Sequence, residues 1–342
     1  MYPDRVVSGM RPTGALHLGH YHGALKNWVR LQSESPCLFF VADWHALTTH
    51  YDDPSMIEAS TWDMLIDWLA AGVDPAQSTL FIQSRVPEHA ELHLLLSMTT
   101  PLGWLERVPT YKDQQEKLTG RDLTTYGFLG YPLLQAADVL IYRATQVPVG
   151  ADQVPHVEIM REIVRRFNHL YGQEKDATVE GACKQILVEP HVQLTPSSRL
   201  PGLDGQKMSK SYGNTITLRE DKETLTKKIR TMPTDPARVR RTDPGDPEKC
   251  PVWQLHQVYS DASTKQWVVE GCTTAGIGCL QCKQPVIEAI LKEQEPMRER
   301  AQRYLDDPCL LRAIVAEGCD KARKLAQETM RDVRDAMGLN YS

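Results

Sequence analysis

Ser8-Gly9-Met10-Arg11-Pro12-Thr13-Gly14-Ala15-Leu16-His17-Leu18-Gly19-His20 follows directly on the short run Arg5–Ser8, which reads as a buried strand. Strand, glycine-bounded turn and helix in that order make the first βα junction of a parallel sheet. Backbone N–H groups and a helix N-terminus there face the ligand crevice and suit phosphate. His17 and His20, three residues apart, share one helix face and reach the same phosphate. Gly19 between them carries no side chain, so a base or ribose can lie against the backbone. The spacing is equally compatible with a solvated histidine pair or a fragment of an H-x-x-H metal site.

Outward from this stretch, Cys37–Ala42 and Thr79–Gln83 read as further strands. Between them Asp53-Pro54 supplies an N-cap and a first-turn proline, Ile57, Thr61, Met64, Leu65 and Trp68 recur at helical spacing, and Gly72 stops the helix. Strand, helix and strand in succession imply a parallel sheet. Gly130–Tyr142 reads as helix, Val147–Val149 as a short strand, and Val154–Tyr171 as an amphipathic helix carrying Val157, Val164 and Phe167. Pro196–Gly213, rich in Pro, Gly, Ser and Lys, reads as a mobile surface loop. Beyond it the pattern is helical, with a last long helix opened by Asp307-Pro308 and closed at Gly338. The expected architecture is α/β: a Rossmann-type parallel-sheet nucleotide-binding domain over 1–200, a loop over 201–215, and an α-helical C-terminal domain over 216–342.

The 342 residues, 41% hydrophobic and 24% charged, have an ordinary globular composition, which excludes intrinsic disorder and a disulfide mini-scaffold. A net charge of −5 excludes a polybasic binder, so any RNA contact must be a local patch. No apolar run approaches a membrane span and MYPDRVVSGM lacks the signal-peptide pattern, so a cytoplasmic location with reduced thiols is expected. Cys37, Cys183, Cys309 and Cys319 are scattered and read as buried thiols. Cys250, Cys272, Cys279 and Cys282 crowd into C-x21-C-x6-C-x2-C. That set suits structural zinc, an iron–sulfur cluster, or four buried structural cysteines.

Two further stretches carry chemistry. In Lys207-Met208-Ser209-Lys210-Ser211, two lysines flanked by hydroxyls could close over a triphosphate and neutralise developing charge, or simply be solvated. In the helix over Gly130–Tyr142, Leu134, Ala137 and Ile141 form an apolar face while Tyr131, Gln135 and Asp138 line the other. Asp138, flanked by alanine and valine, needs a polar partner if buried. Indole offers one N–H and otherwise apolar surface, so one carboxylate at the floor of an apolar pocket complements it.

HLGH in the first βα turn together with KMSKS in a later loop resembles the paired signature of class I aminoacyl-tRNA synthetases. The substrate helix, Pro148-Val149-Gly150-Ala151-Asp152-Gln153, Asp43-Trp44-His45-Ala46 and Arg107 to Lys112 closely resemble tryptophanyl-tRNA synthetases, and the resemblance runs from about Val6 to the chain end. It implies ATP-dependent activation of L-tryptophan to the adenylate and transfer to tRNA(Trp), with Mg2+ on the phosphates. Tyrosyl-tRNA synthetases and class I nucleotidylyltransferases acting without tRNA share parts of this layout and stand as alternatives.

By this resemblance His17, His20, Lys207 and Lys210 are catalytic, and Arg11, Gly19, Lys112, Asp152, Met208 and Ser209 join them around ATP. Asp138 takes the indole proton, Tyr131 and Gln153 hold the ammonium and carboxylate end, and Val7, His45 and Gln135 complete the substrate pocket. Many bacterial members have Met in place of Gln135, Gln in place of Arg11, and Thr or Asn in place of the motif histidines. No insertion is long enough for an editing domain, and the largest side chain needs no second sieve. A subset of bacterial members carries a nearly identical cysteine pattern holding a [4Fe-4S] cluster, with zinc as the alternative here. The helical half should meet the anticodon end of tRNA, with Arg238, Arg240, Arg241, Lys249 and Lys283 as candidate contacts or a solvated charge face. Family members are homodimers, and the same is expected here.

Overall fold

A computed structural model describes residues 3–109, 111–112, 122–172, 184–195 and 200–341, without the side chain of residue 211. Among them β1 (Val6–Met10), β2 (Cys37–Val41), β3 (Ser78–Ile82), β4 (Gln146–Val149) and β5 (His191–Leu194) form one parallel sheet in the order β3-β2-β1-β4-β5. The register pairs Val6 with both Cys37 and Gln146. Strand order reverses at β1, so the crevice beyond the carboxyl ends of β1 and β4 is the topological switch point. Every residue of β2 is buried, as a parallel strand covered on both faces requires. The expected Rossmann-type fold with a helical C-terminal region is the fold observed.

The segment after β1 winds through α1 (Leu18–His20), a π-helical turn (Tyr21–Leu25) and α2 (Lys26–Leu31). Trp28 of α2 stacks on Phe39 of β2 at 4.2 Å. Next come α3 (Asp43–Leu47) and α4 (Ser55–Ala71), the latter opened by Asp53, whose carboxylate accepts from the Ser55 N–H, and ended by Gly72 at φ 110°. After β3 follow α5 (Glu88–Ser97), α6 (Leu102–Glu106), α7 (Tyr126–Leu129), α8 (Tyr131–Leu140) and α9 (Val154–Tyr171). The C-terminal helices are α10 (Lys222–Thr231), α11 (Pro251–Tyr259), α12 (Ala262–Thr273), α13 (Cys279–Asp306) and α14 (Pro308–Ala336).

Two main hydrophobic cores result, beside a small cluster of Leu123, Phe128 and Tyr131. The larger joins the sheet to its flanking helices and takes in Leu311, Val315, Ala322, Ala326 and Met330 of α14, because that helix returns to cover β3. At the crossing, a Cβ on Gly318 would stand 1.8 Å from the Leu80 carbonyl oxygen, so only glycine permits the approach. Arg323 pairs with Glu88 at 3.0 Å, and Arg334 Nε donates to Glu91 at 2.6 Å, fastening α14 to α5. The smaller core gathers Ile216, Leu225, Ile229, Val252, Leu255, Val286 and Ile290 around Leu18 and Met208.

The sequence reading differs from the structure in several places. Cys309, read as a buried thiol, is exposed, while Cys37 and Cys319 are buried and Cys183 lies outside the described residues. β1 runs two residues beyond Ser8, because Gly9 and Met10 still pair with Phe40 and Val41. β5 lacks an apolar run because it is a half-buried edge strand. In α8 both faces are turned inward: Leu134 is half-buried while Tyr131 and Asp138 are buried.

Candidate active site

A cavity of about 370 Å³ opens at the switch point. Its wall is Val7 to Arg11 of β1 and the following turn, Val147 to Gly150 of β4, and Tyr131, Gln135 and Asp138 from one face of α8. His45, Gln153, His156 and Phe128 complete it. The expected substrate residues Val7, His45, Tyr131, Gln135, Asp138 and Gln153 are all in this lining, with Arg11 beside them. Asp152 is next to the cavity and accepts from Gln153 Nε2 at 3.0 Å. Lys112 is exposed and outside the lining.

Asp138 is fully buried, and three donors converge on it. His45 Nε2 donates to Oδ2 at 2.8 Å, while Gln83 Nε2 at 2.7 Å and His89 Nδ1 at 2.6 Å donate to Oδ1. The Trp44 N–H donates to Gln83 Oε1 at 3.1 Å, which fixes the amide orientation. Tyr142, behind His89, shares a 2.6 Å hydrogen bond with its Nε2. Burial alone would push the Asp138 carboxyl up, yet the hydrogen bonds and charges of His45 and His89 hold it well below the usual carboxylate range. The result is a fixed anion in a wall that mixes apolar residues such as Val7, Phe40, Phe128, Val139 and Val147 with polar ones such as Gln135, Gln153 and His156, with acceptor capacity left on Oδ2. Gln83, His89 and Tyr142 escape the sequence reading. Gln83 alone had a signal, since it ends a parallel strand at the ligand side of the sheet.

Beside the cavity the two sequence motifs interlock. The Leu18 N–H donates to Ile216 O at 2.9 Å and the Leu218 N–H to Leu16 O at 3.1 Å, which zips the HLGH segment to the chain that leaves KMSKS. The apolar middle residue of each motif, Leu18 and Met208, is buried in the smaller core; His17 is buried beside them, His20, Ser209 and Lys210 are half-buried, and Lys207 is exposed. The His17 and His20 rings lie 3.7 Å apart, and a Cβ on Gly19 would be 2.9 Å from the His17 ring. Lys210 Nζ donates to Thr13 O at 2.9 Å and Gly14 O at 2.7 Å, while Lys207 is exposed. The loop is thus docked from Leu200 onward, through buried Met208 and Lys210; residues 196–199 lie outside the described residues.

Helix α4 supports the turn from behind. Ser60 accepts from the Gly14 N–H at 3.1 Å, and Asp67 accepts from the Leu16 N–H at 3.3 Å and from Arg219 at 2.6 Å. Burial and the charges of Lys210 and Lys207 pull His17 down to about 4, and burial with His17 and the same lysines pulls His20 to about 3. Both imidazoles are neutral at neutral pH and can act as hydrogen-bond partners for phosphate oxygens. Burial brings Lys210 down to about 8, with Asp67 and Asp63 opposing the shift. The cluster thus sets Lys207 and Lys210 beside two neutral imidazoles.

The family model of the class I tRNA synthetases (W and Y) matches residues 2–293. The chain belongs to this synthetase family. A tryptophan–tRNA ligase of Ralstonia nicotianae is 66% identical, with both chains covered in full. That of Thermotoga maritima is 51% identical over 98% of this chain and 100% of its own. The crystal structure of tryptophanyl-tRNA synthetase from Campylobacter jejuni complexed with ADP and tryptophan superposes with a TM-score of 0.86 at 34% identity, covering 98% of this chain and 100% of that one.

In this aminoacyl-tRNA synthetase the helical region brings Cys250, Cys272, Cys279 and Cys282 to one small cavity shared with Asp235 and Arg238. Burial and the three neighbouring thiols push Cys282 up to about 12. Among the described residues no three His, Cys, Asp or Glu side chains are grouped so as to hold a metal ion, the four thiols included. Arg238 is buried: it donates to Ile277 O at 2.6 Å and Arg241 O at 3.1 Å, and its Nε has no partner. Lys283 is also buried and donates to Arg230 O at 2.7 Å and Met232 O at 2.6 Å. These two cations, expected as RNA contacts, are consumed by backbone carbonyls. Arg240, Arg241 and Lys249 are the solvent-facing members of the set. Among the described residues no helix is long and apolar enough to cross a membrane.

Proposed function

We propose that this synthetase is a tryptophan–tRNA ligase, which joins the carboxylate of L-tryptophan to the α-phosphorus of ATP with release of pyrophosphate and then passes the aminoacyl group to the terminal ribose of tRNA(Trp) with release of AMP. The observation that carries the reading is the ionised, three-donor Asp138 in the wall of the switch-point cavity. Indole brings one N–H to that acceptor and apolar surface to the rest. Tyr131 and Gln153 would hold the ammonium and carboxylate end. His17 and His20 orient the phosphates, and Lys207 and Lys210 take the charge of the departing pyrophosphate. The carboxylates near the motifs, Asp63 and Asp67, are paired with Arg219, so the site fits Mg2+ carried by the ATP phosphates rather than by protein ligands. That ion would supply charge neutralisation there. The domain reading of 1–200, the loop 201–215 and the helical region 216–342 belongs to this proposal, as do a homodimer, a cytoplasmic location and Arg240, Arg241 and Lys249 as tRNA contacts.

Pyrophosphate exchange with each of the twenty amino acids tests the reading. Exchange with tryptophan alone is expected; exchange with tyrosine, or with none, overturns it. The pH dependence follows from Lys210. Its charge is present below about 8 and lost above, so kcat/KM for ATP in adenylate formation should fall as pH rises through about 8. A Lys210→Arg variant should move that limb upward, and an unmoved limb would assign it elsewhere.

The four cysteines are read as ligands of a [4Fe-4S] cluster. Support comes from the family resemblance, from the four thiols lining one cavity, and from the partnerless Arg238 Nε, a donor suited to an anionic cluster. The cluster would supply a structural clamp, since tryptophan activation needs no electron transfer. Anaerobically purified protein should be brown, with about four irons and four acid-labile sulfides per chain. Cys279→Ser should lose colour and tRNA charging while keeping most tryptophan-dependent exchange. Stoichiometric zinc without sulfide overturns the cluster assignment alone.

A further inference from the structure

His22 lies two residues beyond His20, inside the π-helical turn, and its side chain is only 8% exposed. Its Nε2 stands 3.0 Å from Glu293 Oε2 and 3.0 Å from Tyr259 Oη, and the Tyr259 O–H donates to the same Glu293 oxygen at 2.9 Å. The His22 and Tyr259 rings meet edge-on at 5.5 Å. Burial and the Glu293 carboxylate raise the Tyr259 phenol far above its ordinary value, so it is a neutral donor. The three groups close a triangle in which one N–H and one O–H serve one carboxylate oxygen. None of them lines the substrate cavity.

The triangle joins distant parts of the molecule. Tyr259 is the last residue of α11, whose N-cap is Cys250; Glu293 is in α13, which begins at Cys279 and carries Cys282. His256, in the last turn of α11, donates through Nε2 to Cys282 O at 3.0 Å and so ties α11 to the cysteine end of α13. Two helices therefore start at the four-cysteine site and reach one histidine next to HLGH, α11 with its last residue and α13 near its middle. A π turn inserts an extra residue into a helix, and such turns are frequent at functional sites.

We infer that His22, Tyr259 and Glu293 are positioning residues for adenylate formation, which pin the π turn and thereby aim His20 and His17 at the phosphates. The inference rests on the tryptophan-activation reading. A connection in space is not coupling, so the test is a double-mutant cycle. Tyr259→Phe removes one O–H and keeps the ring; Glu293→Gln keeps the shape and removes the charge. Exchange rates are divided by the active sites counted in an adenylate burst, so that unfolded protein does not enter. Each single variant should lower per-site kcat about 5- to 10-fold with tryptophan KM within about twofold, and the double variant should be no slower than the slower single. Per-site kcat at the wild-type value, or a double variant losing the product of the two effects, would overturn the inference. A merely structural role predicts the first of these, with only the active fraction reduced. If the wild-type chain gives no exchange with tryptophan, the functional reading falls and takes this inference with it; wild-type exchange with unaffected variants removes this inference alone.

Discussion

Asp138→Ala is expected to lower kcat/KM for tryptophan by about 10²- to 10³-fold, corresponding to about 3–4 kcal/mol of transition-state stabilisation. The indole N–H loses its acceptor, which by itself costs about 1–3 kcal/mol in a buried site. The remainder arises within the protein. His45, Gln83 and His89 all donate to this one carboxylate, so its removal strands three donors and loosens the wall they define. Asp138→Asn separates the two contributions. It keeps the volume and one acceptor oxygen, but its NH2 must oppose either His45 or the Gln83–His89 pair. The Asn variant should melt closer to wild type than the Ala variant yet discriminate tryptophan from phenylalanine poorly. Tryptophan-dependent exchange and thermal melts measured side by side decide it, and wild-type kinetics in either variant would sink the assignment.

Lys210→Ala should slow single-turnover adenylate formation by about 10²- to 10³-fold while leaving tryptophan affinity within about twofold. A cation that meets the pyrophosphate as charge develops acts in the transition state rather than in tryptophan binding. The resting contact sharpens the expectation. Lys210 donates to the Thr13 and Gly14 carbonyls, so reaching a phosphate means exchanging those bonds for charge-assisted ones. The variant loses the resting dock as well, so ATP affinity changes less than the rate. Equal losses in rate and in tryptophan affinity would make the loop a binding element instead.

What the sequence discloses follows what each residue must satisfy locally. Cys37–Val41 is legible as a buried strand because a short continuous apolar run fits a parallel strand covered on both faces. Helix α4 is legible from its own punctuation, a proline at its start and a glycine at its end. His191–Leu194 is not, because an edge strand needs no apolar run. Asp138 draws attention as a carboxylate among alanine and valine, since such a group demands partners. Which partners answer is a tertiary fact: His89 comes from α5 and Tyr142 from the turn after α8, and neither carries a motif. Arg238 and Lys283 mark the opposite failure. A charge near an expected RNA face reads as exposed, and only the fold reveals the carbonyls that it satisfies.

The return of α14 to the sheet gives this synthetase a particular order of birth. Leu80 and its neighbours on β3 meet Gly318 across more than two hundred residues of intervening chain, so an edge of the catalytic sheet stays uncovered until nearly all of the described chain has left the ribosome. Loop-closure entropy makes such distant pairings late events. A nascent chain that already displays both signature motifs would still expose β3, and its protection against aggregation would depend on the speed of translation or on chaperones until the last helix arrives. The cover over β3 therefore forms only once α14 has emerged, long after all five strands of the sheet have been made.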